Sequence, residues 1–257
     1  MKSRTFLSLL GRKYPKRLTF IKDRLGLCGA KLPTEIDKVV ISLDCDEEAI
    51  NLALSNNVKL IISHHPLLYP NKRIALKEPM IKKIYDKLIE NDLSCYSIHT
   101  NFDLSSNGMN ANFGKMLGLI NIKPFNPTQS FLYTGELEKE MEFNDFINMF
   151  KEKLGLDYVL YQDGKNGAST IKKVGFILGS GTSEYMDALI SNCDVFISGD
   201  SKHHIRRYMY HQGLNFIELM HEYEQEIFIS VMNDVVKDID SNMQILLSYS
   251  QKHHKLF

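Results

Sequence analysis

The stretch KVVISLDCDEEAINLALSNNVKLIISHHP, residues 38–66, contains the strand–helix–strand pattern on which the fold prediction depends. Residues 38–44 and 58–63 are short aliphatic runs typical of buried strands. Residues 46–57 predict a helix that Asp46 opens, with an acidic first turn of the kind the helix dipole favours. Two histidines and a proline directly follow the second run. This order indicates a β–α–β unit with parallel strands.

The alternation of aliphatic runs with amphipathic stretches continues along the chain, which predicts an α/β fold. Segment 122–129, IKPFNPTQ, has two prolines and no periodicity, so we place the domain boundary there. We predict two related α/β halves with mixed, largely parallel sheets, an N-terminal half at 1–125 and a second half at 126–257. Further strands are predicted at 93–99, 131–137, 158–163, 172–179, 194–200, 215–220 and 243–249. Further helices are predicted at 79–91, 108–118, 142–155, 183–192, 204–213 and 224–239.

Composition restricts the classes of function. The chain has 257 residues, with 31 Lys plus Arg and 31 Asp plus Glu, which argues against a strongly basic nucleic-acid or membrane-surface protein. Four separated cysteines without a CxxC pair indicate a reducing, cytoplasmic compartment. We see no signal peptide and no apolar run of about 20 residues, so no membrane span is expected. The terminal QKHHKLF, 251–257, is assigned no role.

A basic segment, HHIRRYMYHQ at 203–212, has helical periodicity. We interpret it as an amphipathic helix with Ile205, Met209 and also Tyr208 facing inward, and nucleic-acid binding is not expected. A weak internal similarity links KLIISHHP with DVFISGDSKHH, because each is an aliphatic strand followed by Ser and a His pair.

Polar groups capable of binding metals or transferring protons follow four predicted strands. In parallel α/β sheets, ligands bind outside the carboxyl ends of the strands, so these groups are expected to meet. They are His64 and His65; His99 and Asp103; Asp200, Lys202 and His204; and His221 with Glu222, Glu224 and Glu226.

The proline after His64-His65 suggests how the two imidazoles are used. Pro66 favours an extended His65, and consecutive extended side chains diverge. Divergent rings suit two ions about 3.5–4 Å apart better than one, with Asp103 as a bridge and His221 plus a following glutamate completing the set. Nitrogen and oxygen ligands suit Zn, Mn, Fe or Ni.

Each of these groups also has an alternative without metal. The His pair can cap a strand, and Asp103 can belong to an Asx turn in NFDLSSNG. Asp200 can cap the helix that begins near Lys202. The three glutamates can form a solvated first turn favoured by the helix dipole.

The blocks IISHHPLLY, IHTNFDLSSNGMN, SGDSKHH and GLNFIELMHEYEQE, together with DRLGLCG at 23–29, resemble the GTP cyclohydrolase I type 2 homologues, the NGG-interacting-factor-three-like proteins. Arg24 and Met220 depart from the family pattern. The resemblance implies a metal-binding cleft between two related halves, two divalent ions per chain and a toroidal homohexamer. Its metal ligands carry over to His64, His65, Asp103, His221 and Glu224, with Glu226 and Glu222 as weaker alternatives. It also places His99, Lys202 and His204 near the metals.

These observations lead to one functional hypothesis and one alternative. The first is a dinuclear-metal-dependent hydrolase of unknown small-molecule substrate, with His99 or His204 transferring the proton. The family name implies GTP and hydrolytic opening of the guanine imidazole ring. The alternative is a non-catalytic metal-binding scaffold or metal-handling protein.

Overall fold

The computed structural model describes residues 1–250 of the chain, and the terminal segment 251–257 lies outside the described residues. The strands are β1 (Gly26–Gly29), β2 (Lys38–Ser42), β3 (Leu60–Ser63), β4 (Ser94–Ser97), β5 (Ile120–Pro124), β6 (Tyr133–Glu142), β7 (Leu160–Gln162), β8 (Thr170–Phe176), β9 (Val195–Ser198), β10 (Asn215–Glu218) and β11 (Gln244–Ser248). The α-helices are α1 (Ser3–Lys13), α2 (Glu47–Ser55), α3 (Lys72–Ala75), α4 (Pro79–Glu90), α5 (Thr100–Asp103), α6 (Met109–Met116), α7 (Phe143–Leu154), α8 (Tyr185–Ile190), α9 (His203–His211) and α10 (Glu224–Ile239).

The chain forms two compact units, each with its own sheet. Of the described residues, unit 1 comprises 1–102 and 225–250, and unit 2 comprises 103–224. The predicted division at residue 125 differs from this one, because the segment from 225 onward belongs with the N-terminal unit. Strand β11 explains the difference, since it pairs in parallel with β2 and so completes the first sheet.

The sheet of unit 1 has the order β1-β4-β3-β2-β11. The pairings among β4, β3, β2 and β11 are parallel, and β1 joins the edge in antiparallel orientation. Helices α2 and α4 cover one face, over a core that includes Val40, Ile61, Ile50 and Leu88. Strands β2 and β3 are almost wholly aliphatic because both faces of this parallel sheet are buried.

The sheet of unit 2 has the order β5-β6-β8-β9-β10-β7. Here β8, β9 and β10 are parallel neighbours, while the other pairings are antiparallel. The prediction of an α/β fold with two mixed sheets is therefore confirmed, with unit 1 largely parallel and unit 2 less so. Phe196, Phe216 and Met209 pack in the core of unit 2.

Local sequence signals account for the helix boundaries. The carboxylate of Asp46 accepts a hydrogen bond from the backbone N–H of Ala49 at 2.8 Å, so it caps α2 as predicted. Helix α7 ends at Gly155, which has a φ of 60°. A left-handed residue at this position closes a helix, and glycine adopts it without a side-chain clash.

Five helices and strands were not predicted, and one predicted orientation is wrong. The five are helices α1, α3 and α5 and strands β1 and β5. Strand β1 lies in the block DRLGLCG, which contributed only to the family resemblance, and β5 overlaps the start of the segment interpreted as a linker. In α9, Met209 is buried as expected, but the Tyr208 side chain points to solvent with 51% of its surface exposed. Within residues 1–250, no helix combines the length and the hydrophobicity needed to span a membrane.

Candidate metal centre

The two histidines after β3 lie side by side. The backbone N–H groups of His64 and His65 both donate to the carbonyl of Leu43 at 3.0 Å. Two successive N–H groups directed at one carbonyl require a backbone that curls rather than extends. The two ring centroids are accordingly 4.8 Å apart. The predicted divergence of these side chains is therefore wrong.

His99, just beyond the end of β4, joins the same group. Its ring centroid lies 5.1 Å from that of His64 and 5.7 Å from that of His65. One ring nitrogen of each of the three histidines lies within 4.8 Å of the others. Three imidazoles at this separation form a group that could hold a divalent ion. Unit 1 therefore contains a group of three histidines that follow two neighbouring parallel strands, β3 and β4.

Hydrogen bonds fix the orientation of His64 and His65. Nδ1 of His64 lies 2.9 Å from the carbonyl oxygen of Ile98. A carbonyl can only accept, so Nδ1 carries the hydrogen and the lone pair of a neutral ring is on Nε2. Nδ1 of His65 lies 2.9 Å from Oδ1 of Asp44. An imidazole whose Nδ1–H donates to a carbonyl or carboxylate is the usual arrangement of a metal-binding histidine.

His99 has the same arrangement with a buried carboxylate. Its Nδ1 lies 2.9 Å from Oδ2 of Asp23, whose side chain has no exposed surface. Burial acts to raise the pKa of Asp23. The hydrogen bond and charge of His99, with hydrogen bonds from Thr100 and the Arg24 N–H, outweigh it and bring this pKa well below its ordinary value. Asp23 is therefore ionised at neutral pH and holds the His99 ring.

Unit 2 contains a second group, after β9 and β10. Nδ1 of His221 lies 2.6 Å from Oδ2 of Asp200, and its Nε2 lies 3.3 Å from Oε2 of Glu224. Lys202 is the N-cap residue of α9, and its side chain makes no capping hydrogen bond. Asp200 therefore orients a histidine, and the alternative that it caps α9 is not what the structure shows.

Of the three candidate glutamates, Glu224 is the one beside His221. It is the first residue of α10 and is buried, with 3% of its surface exposed. Glu222 is half-buried, and Glu226 is exposed. A short 3-10 helix at His221–Tyr223 leads into α10, so the i, i+3 spacing places both side chains together.

Gly179 makes room for this pair and was not recognised as part of the site. It has a φ of 72°, and a Cβ added there would lie 2.7 Å from Oε1 of Glu224 and 3.1 Å from Nε2 of His221. Any side chain at this position would displace the His–Glu pair. The available signal was that Gly179 ends the predicted strand 172–179.

Asp103 is linked to the same region by a buried asparagine. Asn110 donates from Nδ2 to the backbone carbonyl of Asp103 at 3.3 Å and accepts at Oδ1 from the N–H of Leu178 at 3.0 Å. Leu178 precedes Gly179. The pKa of Tyr133 is raised to about 12 by burial and by the charge of Asp103. Asp103, partly buried, therefore brings negative charge to this part of unit 2.

The remaining predicted residues are at the start of α9. Lys202 and His204 are both exposed there. The ring of His204 lies 5.8 Å from that of Tyr208. Within residues 1–250, His204 is not in a group of His, Cys, Asp or Glu side chains close enough to hold one ion.

The donor atoms fit a divalent metal of borderline or hard character. They are imidazole nitrogens and carboxylate oxygens, without thiolate, which suits Zn, Mn, Fe or Ni. Three of the four histidines are oriented by a carboxylate and the fourth by a backbone carbonyl. This is the outer support that metal-binding imidazoles require.

Fold and site together define an α/β protein whose strand ends present histidine and carboxylate groups that could bind a metal. The family model described as Duf34/NIF3 (NGG1p interacting factor 3) matches residues 1–254. The chain belongs to this family, which confirms the resemblance found in the sequence.

Known proteins support this membership. A protein named GTP cyclohydrolase 1 type 2 homolog from Clostridium perfringens is 29% identical over 258 residues, which cover 98% of each chain. One of the same name from Streptococcus pneumoniae is 32% identical over 222 residues, covering 84% of this chain and 82% of the relative. The crystal structure of a Staphylococcus aureus protein matches with a TM-score of 0.85 and 25% identity, over 100% of this chain and 99% of its own.

Proposed function

We propose that this chain is a hydrolase that depends on a pair of divalent metal ions. The observation that carries the proposal is that each histidine of both groups is bonded through Nδ1 to an acceptor. In each ring this bond fixes the orientation of the imidazole, as it does in metal-binding histidines. The proposed ligands are His64, His65, Asp103, His221 and Glu224.

The five proposed ligands come from both units of the chain. Unit 1 holds His64 and His65, and unit 2 holds the other three proposed ligands. The chain passes into unit 2 at Asp103 and leaves it after Glu224. The two proposed carboxylate ligands, Asp103 and Glu224, are therefore the first and last residues of unit 2. The ions would be Zn, Fe, Mn or Ni, because the donors are imidazoles and carboxylates.

The protein itself would supply proton transfer and orientation. When bound, the ions would activate a water molecule and polarise the bond to be cleaved. His99 is the residue best suited to take the proton from the water and return it to the leaving nitrogen. Its ring is 22% exposed and is held by the buried carboxylate of Asp23. These features favour His99 over His204, which is exposed on α9.

GTP is the first substrate to test, because the curated relatives are named GTP cyclohydrolase 1 type 2 homolog. The reaction would be hydrolytic opening of the guanine imidazole ring. Water adds to the ring carbon, a carbon–nitrogen bond breaks, and the nitrogen takes the proton. Other cyclic amides and phosphoesters are alternative substrates for the same groups.

The experiment compares the wild-type protein with His65→Ala and His203→Ala. Elemental analysis should find about two ions per wild-type chain and at least one fewer after His65→Ala. His203 is exposed on α9, so its replacement should leave the metal content unchanged. Each protein is then assayed with GTP, cyclic amides and phosphoesters. Full metal content in the His65→Ala variant would overturn the ligand assignment. Full metal content without turnover would favour a metal-binding scaffold or a metal-handling protein.

We also propose that the protein acts in the cytoplasm as a toroidal homohexamer. The four cysteines of the described chain are free thiols, which is typical of a reducing compartment. The proposed assembly is the one that the family resemblance implies. Light scattering coupled to size-exclusion chromatography measures it directly, and a monomer at micromolar concentration would refute it.

A further inference from the structure

Three cysteines that are distant in the sequence meet in the interior of unit 1. Cys28 of β1 and Cys95 of β4 are directly paired in the antiparallel register of these strands. Cys45, which precedes α2, lies with Cys95 in the buried core, and Cys28 packs against that core. Each of the three thiols shifts the pKa of another. This thiol cluster consists of Cys28, Cys45 and Cys95.

The pairing of the strands suits a covalent bond between Cys28 and Cys95. Directly opposed residues of an antiparallel pair share one face, with Cβ atoms about 4.5–5.5 Å apart. A disulfide needs Cβ atoms about 3.5–4.5 Å apart. A small approach of β1 would suffice. Strand β1 has only four residues and forms the edge of the sheet. Its first and last residues, Gly26 and Gly29, both have positive φ.

We propose that Cys28 and Cys95 are a reversible dithiol–disulfide pair, oxidised by a low-molecular-weight disulfide. Cys28 is the accessible member, since it is half-buried at the sheet edge, whereas Cys95 is fully buried and Cys45 is 6% exposed. The oxidant therefore enters at Cys28. Cys45 sits on a loop without a directly opposed strand partner, so the strand register favours Cys28 as the partner of Cys95.

The exchange takes place in two balanced steps. The sulfur of Cys28 loses its proton to solvent and attacks the external disulfide, which releases one small thiol and leaves a mixed disulfide. The sulfur of Cys95 then attacks the Cys28 sulfur and displaces the second small thiol. Two protein thiols are oxidised, and one external disulfide is reduced to two thiols, which carry the two protons.

The surroundings of Cys95 assist the second step. Hydrogen bonds from the thiols of Cys28 and Cys45 lower the pKa of Cys95, despite its burial, and the hydroxyls of Ser63 and Ser97 add to the effect. The hydroxyl of Ser63 lies 3.3 Å from the Cys95 sulfur. The same contact with Cys95, together with burial, raises the pKa of Cys28. The thiolate of Cys28 is therefore less available than that of Cys95.

The test equilibrates the native full-length protein with mixtures of reduced and oxidised glutathione, starting from both the reduced and the oxidised protein. Acid quenching, alkylation, digestion and mass spectrometry then identify the linked cysteines. We expect a Cys28–Cys95 linked peptide whose fraction rises with the proportion of oxidised glutathione and returns to zero with excess dithiothreitol. Cys45 and Cys193 should remain available for alkylation after unfolding.

Two variants keep the result interpretable. Cys193→Ser removes a buried cysteine of unit 2 and should leave the linked fraction unchanged. Cys28→Ser alters a half-buried edge residue and should abolish the linkage while preserving the circular dichroism spectrum. The proposal is overturned if oxidised glutathione yields only a mixed disulfide on Cys28. It is equally overturned by a Cys45–Cys95 linkage in the wild type, or by full alkylation of all four cysteines at every ratio.

Discussion

Replacing Asp44 with Asn tests whether a carboxylate holds His65 in position for a metal ion. Asn has nearly the same shape, and its Oδ1 can still accept the hydrogen bond that His65 Nδ1 now gives Asp44 at 2.9 Å. The change therefore removes the negative charge and little else. The charge makes the imidazole a stronger donor of electrons to a metal.

The size of the effect follows from the exposure of Asp44. Loss of such a supporting carboxylate typically weakens metal binding about 10–100-fold. The Asp44 side chain is 47% exposed, so water screens its charge and the lower limit applies. We expect Asp44→Asn to weaken binding about tenfold, or about 1.4 kcal/mol, without loss of folding.

The assay is a competition titration of the metal-free protein with Zn²⁺ or Mn²⁺ against a chromophoric chelator. Asp86→Asn is the matched control, because Asp86 is 44% exposed and forms an ion pair with Lys82 on α4. Its binding constant should equal that of the wild type. The reasoning fails if Asp44→Asn binds metal as tightly as the wild type while His65→Ala does not. It also fails if both Asn variants weaken binding equally.

Three further predictions concern the glycine, the buried carboxylate and the proton-transfer residue. Gly179→Ala and Gly155→Ala both place a side chain at positive φ, at a cost of about 1–2 kcal/mol in thermal unfolding. Only Gly179→Ala should also lose metal in elemental analysis, because a Cβ at Gly155 has no atom within 4 Å. The pKa of Asp23 is lowered in the folded state. The stability that ionised Asp23 gives the folded protein is therefore fully present above the unfolded-state pKa of about 3.9. It is lost as the pH falls toward the lower folded-state pKa. Asp23→Asn should therefore flatten the dependence of unfolding free energy on pH below about 4, measured by urea denaturation, and equal slopes would contradict this. In single-turnover kinetics on a substrate that the protein turns over, His99→Ala should lower the rate at least about a hundredfold. His204→Ala should lower it much less. The reverse order would assign the proton transfer to His204.

The order of strands and helices was predictable because local signals determine it. The aliphatic runs that became β2 and β3 and the Asp46 cap of α2 depend on residues close together in the chain. Strand β1 was not predictable on the same grounds. It has four residues, two of them glycines, and it exists because it pairs with β4 at the edge of the sheet. Partners distant in the sequence leave no periodic signal of their own.

The same limit applies to the candidate site. The histidines could be found because they follow predicted strands, and the edge of a parallel sheet is where such residues meet. Their carboxylate partners were missed, since Asp23 is 76 residues from His99. The convergence of His64 and His65 was also missed, because it depends on the carbonyl of Leu43.

Two of the carboxylate–histidine pairs nevertheless arise from the same β–α–β arrangement, which occurs once in each unit. Asp44 follows β2 and His65 follows its parallel neighbour β3, while Asp200 follows β9 and His221 follows its parallel neighbour β10. In both pairs the separation is 21 residues. Parallel strands joined by one helix end at the same edge, so an acid after the first strand and a histidine after the second meet through topology alone. The sequence contains this correspondence as VISLD and FISGD, which shows that the earlier alignment of DVFISGDSKHH with KLIISHHP was shifted by one strand. The orientation of both histidines is therefore a property of the β–α–β unit, and the intervening helices could differ without altering it.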